Sequence, residues 1–335
     1  MWDLMFSDEQ AMIADSVAQF LSKELPVERL RPKAAPVDAD VIWRSMAELG
    51  WFGIGITEEA GGSGLGLVEE MLIQRGCGRH LASTSILATM VAAHVAQAAG
   101  DAALTRALVT GERRVALAIG LGSAGTDEFE ALAFDWADGE LLLYWDDTGA
   151  GLFEAGKLSS DAGLDDSLTL HRGRLSLAAA KCWVPNAQAP IALRANALLA
   201  ACLAGLADGA CALATDYAKL REQFGKPIGT FQAIKHRCAD MIVRAEISGH
   251  LVALACLKVE AGATDASLQV AAAKLKSAHS AHENGRAVIQ VHGGLGYQSE
   301  CDAHWFMKRA HVYDQAGGNM QAQAERVFAE ASPLW

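Results

Sequence analysis

The chain offers little to several large classes of function. Lys and Arg number 28 against 40 Asp and Glu, a formal net charge of -12. A surface of that sign repels phosphate backbones, so no nucleic-acid partner is expected, although one local basic pocket for an anionic ligand stays open. Seven cysteines stand at 77, 182, 202, 211, 238, 256 and 301, an odd count with no C-x-x-C pair. That pattern argues against a metal site and fits reduced, mostly buried thiols in a cytoplasmic protein. Met1 to Asp8 has neither a basic n-region nor an apolar h-region, so no signal peptide is expected. The longest candidate apolar span, Ala197 to Ala207, is interrupted by Asn196 and Asp208. It falls short of the roughly 20 residues needed to cross a bilayer and reads as a buried helix rich in small residues, with no membrane span. The glycine run Gly61-Gly62-Ser63-Gly64-Leu65-Gly66 lacks the Lys-Ser/Thr ending of a phosphate-binding loop and reads as a helix connector. Neither a repeat array nor a low-complexity tail is visible.

What is present is apolar bulk, 51% over 335 residues, enough for a large core and two or three domains. The texture is helical, then strand-rich, then helical. Ser7 with Gln10 makes a capping-box signal, Ile13, Val17, Phe20 and Leu21 follow at helical spacing, and Pro26 ends the pattern. Helical texture resumes at Val41 to Leu49 and at Val68 to Ala99. From about Arg114 to Pro190 the pattern changes. Leu132 to Trp136 and Leu141 to Trp145 flank Asp138-Gly139, a hairpin signal. Leu168 to Leu170 and Leu175 to Leu177 flank a second expected turn at Gly173. A small antiparallel β domain is the expectation there. Long helices follow at Ala195 to Leu220, Gln232 to Glu260 and Ala266 to Val291.

Four segments, in order, carry a resemblance. Arg221-Glu222-Gln223-Phe224-Gly225-Lys226-Pro227-Ile228, followed by Phe231-Gln232, matches R-x-Q-F-G-x-P-I with a trailing Q. Gln290-Val291-His292-Gly293-Gly294-Leu295-Gly296-Tyr297 matches Q-x-x-GG-x-G-[FY]. Leu49 to Gly53 runs into Glu58 to Gly66, and Phe6 to Gln10 opens the first helix. Together they resemble the acyl-CoA dehydrogenase family, over both helical thirds and poorly over the middle. The resemblance implies an α+β fold, mostly α, with an N-terminal helical domain (1–112), a shortened middle β domain (113–190) and a C-terminal four-helix bundle (191–335). It implies FAD as cofactor, an acyl-CoA substrate, α,β-dehydrogenation and an electron-transferring flavoprotein as acceptor. Oligomers are implied too, because in this family one subunit holds the dinucleotide end of its neighbour's cofactor.

On that reading Arg221 supplies a fork of donors for pyrophosphate. Gln232 and Gln290 offer amides to the adenosine half, and Gly293 and Gly294 let backbone N–H groups approach phosphate. Phe224 packs on an aromatic ring system. Taken singly, each has a plainer reading: a surface ion pair, core packing, helix decoration or a loop turn. His292 is given no catalytic role.

Two departures from the family pattern concern chemistry. The family abstracts the α-proton with a glutamate that opens an E-G-[ST] triplet; here the triplet is Gly317-Gly318-Asn319. The alternative site before the R-x-Q-F-G motif is Ala212-Leu213-Ala214, also without a carboxylate. Asp314 is the nearest acid to the first position and Asp216 to the second. The family's T-E-P-x-x-G-S-D segment is replaced by Ala118 to Asp127, which keeps glycine and Thr126-Asp127 only. Three expectations follow: a subunit lending its FAD-end residues to a catalytic partner, a self-sufficient homo-oligomer with a displaced base at Asp314, or a non-enzymatic binding or scaffold relative.

Overall fold

A computed structural model describes residues 4–121 and 127–330. The chain opens with α1 (Asp8–Glu24), α2 (Ala39–Glu48), α3 (Leu67–Arg79), α4 (Thr84–Ala98) and α5 (Ala102–Val109). The capping box expected at α1 is formed: Gln10 N–H donates to Ser7 Oγ at 3.2 Å and Ser7 N–H to Gln10 Oε1 at 3.1 Å. The Val68–Ala99 stretch is two helices. The chain breaks at Leu81, whose φ is +51°, and Ser83 caps α4.

A seven-stranded sheet follows: β1 (Val115–Leu121), β2 (Glu128–Phe134), β3 (Leu141–Trp145), β4 (Gly149–Glu154), β5 (Ser159–Asp161), β6 (Leu170–Ser176) and β7 (Cys182–Pro185). Its spatial order is β5-β6-β2-β1-β3-β4-β7. The expected hairpin across Asp138-Gly139 is therefore wrong in its pairing. The chain reverses there, with Gly139 at φ +84°, but β1 lies between the two strands, antiparallel to β2 and parallel to β3. A turn signal fixes a reversal, not adjacency, and β1, buried from Val115 through Ile119, takes partners on both edges. The expected turn at Gly173 is wrong as well. β6 runs unbroken through it, with Gly173 opposite Ala131, and a Cβ there would fall under 3.0 Å from Leu158. That glycine serves close approach, not reversal.

The last part holds α6 (Ile191–Leu220), a short hairpin β8 (Glu222–Gln223) and β9 (Lys226–Pro227), then α7 (Gln232–Glu260), α8 (Ala266–His292), α9 (Ala303–Gln315) and α10 (Met320–Glu330). α6 to α9 pack as a bundle, with α10 laid on α8. The apolar stretch in α6 is longer than the sequence suggested: one helix of 30 residues is long and apolar enough to span a membrane by length and composition, and 83% of its most apolar window is buried inside the protein. Its small residues explain the burial. A Cβ on Gly205 would meet the Arg75 carbonyl and one on Gly78 the Cys202 carbonyl, so α3 and α6 touch backbone to backbone. Arg75 and Asp208 join the same helices at 2.6 Å. Arg31 to Asp302, also 2.6 Å, ties the first helices to the last.

Candidate cofactor-binding site

The C-terminus of α6 builds the first part of the site. The helix ends at Arg221, whose backbone turns extended (ψ 123°). Glu222 pairs with Pro227 and Gln223 with Lys226, leaving Phe224-Gly225 as a two-residue turn. Both turn residues have positive φ, +54° and +76°, the mark of a type I′ hairpin. Gly225 accepts that backbone freely; Phe224 adopts it at a cost. The result is a ring held out from the body, 91% exposed, edge-on to Phe231 at 6.1 Å. Ile228 N–H closes the hairpin on the Arg221 carbonyl at 2.8 Å, and the Lys226 ammonium lies 4.6 Å over Phe231.

The second part comes from α7 and α8. Gln232 is the first, exposed residue of α7, and Gln290 is exposed in the last turn of α8. Gly293 ends α8 at φ +64°, and neither it nor Gly294 has any atom within 4 Å of where a Cβ would stand. The backbone there is open to a ligand. Tyr217, one turn before Arg221, stacks on His292, one residue before Gly293, with ring centroids 4.0 Å apart. That contact gathers the ends of α6 and α8, so Arg221 and the glycine pair share one end of the bundle. His292 Nδ1–H donates to the Val288 carbonyl at 2.8 Å, and burial holds its pKa below the ordinary range, so it stays neutral. Arg221 is exposed and has no ion pair among the described residues. Gln290 also lines a cavity of about 370 Å³ between α7 and α8 with Arg237, Arg244 and Arg286. Exposed donors, open glycine backbone and an unpaired guanidinium suit a dinucleotide diphosphate.

Gly317 lies elsewhere, in the connection from α9 to α10, against the sheet. It shares a cavity of about 300 Å³ with Gly120, Tyr144, Trp145 and Arg326. Its φ is +61°, and a Cβ would sit under 3.0 Å from both Asn196 Oδ1 and Trp145 Nε1. These two groups are already bonded, Trp145 Nε1–H to Asn196 Oδ1 at 3.3 Å. Lys274, fully buried, donates to the same Asn196 oxygen at 3.1 Å, to the Gly318 carbonyl at 2.8 Å and to the Ala316 carbonyl. Burial holds its pKa well below the usual lysine range. Gln323 and Arg326 hold the Gly317 carbonyl, each at 3.1 Å. The loop is pinned on every side.

The acids near this cavity are engaged. Asp314 is 6% exposed; its Oδ1 accepts the Met320 N–H at 2.9 Å and its Oδ2 is 3.7 Å from His282 Nε2. Asp146 accepts from Thr148 and Tyr144, and Asp147 pairs with Arg326. Asp216 is exposed beside Lys219. The structure thus gathers Arg221, Phe224, Gln232, Gln290, Gly293 and Gly294 at the helical end and leaves Asp314 as a buried anchor apart from them. The replaced T-E-P segment falls partly on 122–126, outside the described residues. Sequence reasoning missed Trp145, Asn196 and Lys274; the Gly317-Gly318 pair was the one signal for a crowded turn there.

Comparison with known proteins completes the picture. The model for the acyl-CoA dehydrogenase N-terminal domain matches residues 7–111 and that for the C-terminal domain 191–331. Acyl-CoA dehydrogenase FadE34 of Mycobacterium tuberculosis is 33% identical over 288 residues, covering 81% of this chain but 39% of that longer protein. Acyl-CoA dehydrogenase IpdE2 of the same organism is 30% identical over 309 residues, 91% of each chain. Among solved structures, a chain of the ChsE4-ChsE5 complex from Mycobacterium tuberculosis superposes with a TM-score of 0.81 at 20% identity, over 99% of this chain and 100% of that one.

Proposed function

Because the chain belongs to the acyl-CoA dehydrogenase family, we propose that it serves α,β-dehydrogenation of an acyl-CoA thioester as the subunit that supplies the FAD dinucleotide-end site to a catalytic partner. One observation carries this reading: the position of the family's glutamate holds a glycine with no space for a side chain, while the dinucleotide end is open. FAD, when bound, takes the hydride from the β-carbon. The chain's own part is binding and orientation. Arg221 pairs with the diphosphate, Gln232 and Gln290 bond the adenosine half, and the Gly293-Gly294 backbone packs close to phosphate. Asp314 is a poor base, since its carboxylate would have to give up the start of α10 to reach a substrate. The structural likeness to a chain from a two-component complex supports a heteromer.

The test is a visible spectrum of the chain purified alone, before and after anaerobic addition of a panel of acyl-CoAs. The expected protein is colourless, or yellow without bleaching. Co-produced with its partner, the assembly should carry flavin, and Arg221→Ala should lower flavin content at least tenfold without unfolding the chain. Bleaching of the isolated chain by any acyl-CoA would refute the proposal.

A further inference from the structure

A second cavity, about 440 Å³, lies where the end of α1, α2 and the start of α4 meet the β2–β3 connection. It is remote from Gly317. Arg114 and the residues between β2 and β3 line it, whereas Gly120 and Trp145, at the other ends of β1 and β3, line the Gly317 cavity. β1, at 7 residues, spans about 20 Å. None of the residues assigned to the dinucleotide end takes part.

Ile42, Trp43, Met46, Ile86, Trp136 and Leu168 supply apolar wall beside polar groups, and the Arg114 guanidinium lies over the Trp43 ring, 4.7 Å from its centre. Three arginines line it. Arg114 is paired with Asp40 at 2.5 Å and Arg309 with Asp165 at 2.6 Å. Arg29 alone has no ion pair among the described residues. Its Nη1 donates to the carbonyls of Leu25 (3.0 Å), Pro26 (3.0 Å) and His80 (2.9 Å), and its Nη2 to that of Leu81 (2.6 Å). A guanidinium has five N–H donors, so Nε–H and one Nη2 hydrogen carry none of these bonds. Burial, with Arg309 nearby, pushes Arg29 down to about 10, the mark of a desolvated cation short of counter-charge. The cavity's own acids do not supply it. Asp135 accepts from Ser83 Oγ (2.6 Å), Thr84 N–H (3.1 Å) and Thr169 N–H (3.3 Å), and Glu140 accepts from Ala137 N–H at 3.0 Å.

We infer that this cavity binds an amphipathic monocarboxylate, its carboxylate on Arg29 and its apolar body against the aliphatic lining of Ile42, Met46, Ile86 and Leu168. A buried cation gains most from an anion that brings hydrogen-bond acceptors in the guanidinium plane. The volume falls in the range of small-molecule sites, roughly 300–1,000 Å³. A free acid fits and a simple acyl thioester does not, because esterification removes the charge Arg29 would meet. The site therefore stands apart from the thioester chemistry and does not rest on the function proposed above.

Decanoate titrated into the full chain by calorimetry, below its micellar concentration, tests this. Saturable one-to-one binding is expected, with decanol at least tenfold weaker. Ala39→Trp, at an exposed position on the mouth of the cavity, should abolish binding while leaving the circular dichroism and the unfolding midpoint unchanged. Arg29→Gln should weaken decanoate at least tenfold and leave decanol unaffected; since Arg29 also holds four carbonyls, Ala39→Trp and the acid–alcohol comparison decide if that variant fails to fold. Decanol binding as tightly as decanoate, or full binding by Ala39→Trp, overturns the assignment. So does loss of binding in Arg221→Ala, which would put the ligand at the dinucleotide end.

Discussion

Gly317→Ala puts the steric argument for the missing base to a number. Two costs apply. An L-residue held at the left-handed φ of +61° pays about 1–2 kcal/mol. The new methyl also runs into Asn196 and Trp145, both buried and bonded to each other, and overpacking of a tight core costs about 1–3 kcal/mol. Gly139→Ala isolates the first cost, because Gly139 has a φ of +84° and nothing within 4 Å of a Cβ. Both substitutions stiffen the unfolded chain alike, so that contribution cancels in the comparison. Urea unfolding followed by tryptophan fluorescence should show Gly317→Ala less stable than Gly139→Ala by about 1–3 kcal/mol. Equal losses would mean that position 317 has room for a side chain. The inference that no glutamate fits there would then fail, and with it the observation on which the proposed division of labour rests.

Two further outcomes follow from buried charge. Arg309→Met leaves Asp165 unpaired in the core and should cost about 3–5 kcal/mol in chemical unfolding, whereas Arg172→Met, whose partners Glu130 and Asp161 are exposed, should cost under about 1 kcal/mol. His80 is pushed down to about 4 by burial, then by Arg79 and Arg29. The unfolded chain, with the ordinary histidine value near 6.5, therefore takes up the proton first as pH falls, and His80 makes stability drop between about pH 6.5 and 4. His80→Gln should reduce the fall of the unfolding midpoint across that window without abolishing it, since His292, His304 and His311 are shifted the same way, and an unchanged slope would show that His80 titrates normally in the folded chain.

The helices were legible where their cores are apolar. α7 runs from Gln232 to Glu260, the range read from the sequence, and α8 differs by one residue. α9 was not read because its inner face carries His304, Arg309 and Asp314, buried polar groups that break the apolar period; Arg309 meets Asp165, 144 residues away. Pairing of that kind leaves no trace in local periodicity. The sheet order was missed for a related reason, since the turn at Asp138-Gly139 says nothing about β1 lying between the strands it joins. The same contrast divides the site. Arg221 to Gln232 and Gln290 to Gly294 are short contiguous runs, visible as motifs. Trp145, Asn196, Lys274 and Gly317 come from four separate elements, and their cluster exists only in the fold.

That difference in construction bears on how the two ends can change. Arg221, Gln232 and Gln290 are exposed and make few bonds within the chain, so altering any of them should cost binding and little stability. The loop around Gly317 is the opposite case. Its three carbonyls, at 316, 317 and 318, are held by Lys274, Gln323 and Arg326, and the side-chain space is filled by Trp145 and Asn196. Lys274 has no carboxylate bonded to it among the described residues and depends on those oxygens, so opening the loop would also strand a buried amine. A carboxylate placed at 317 would have to displace the tryptophan and the asparagine and disturb the lysine at once. On the proposed division of labour, regaining a base requires several coupled substitutions, whereas the cofactor contribution stands or falls on single exposed residues. On that proposal the packing commits the chain to a partner, and Gly317→Glu alone should produce no acyl-CoA turnover by the isolated chain.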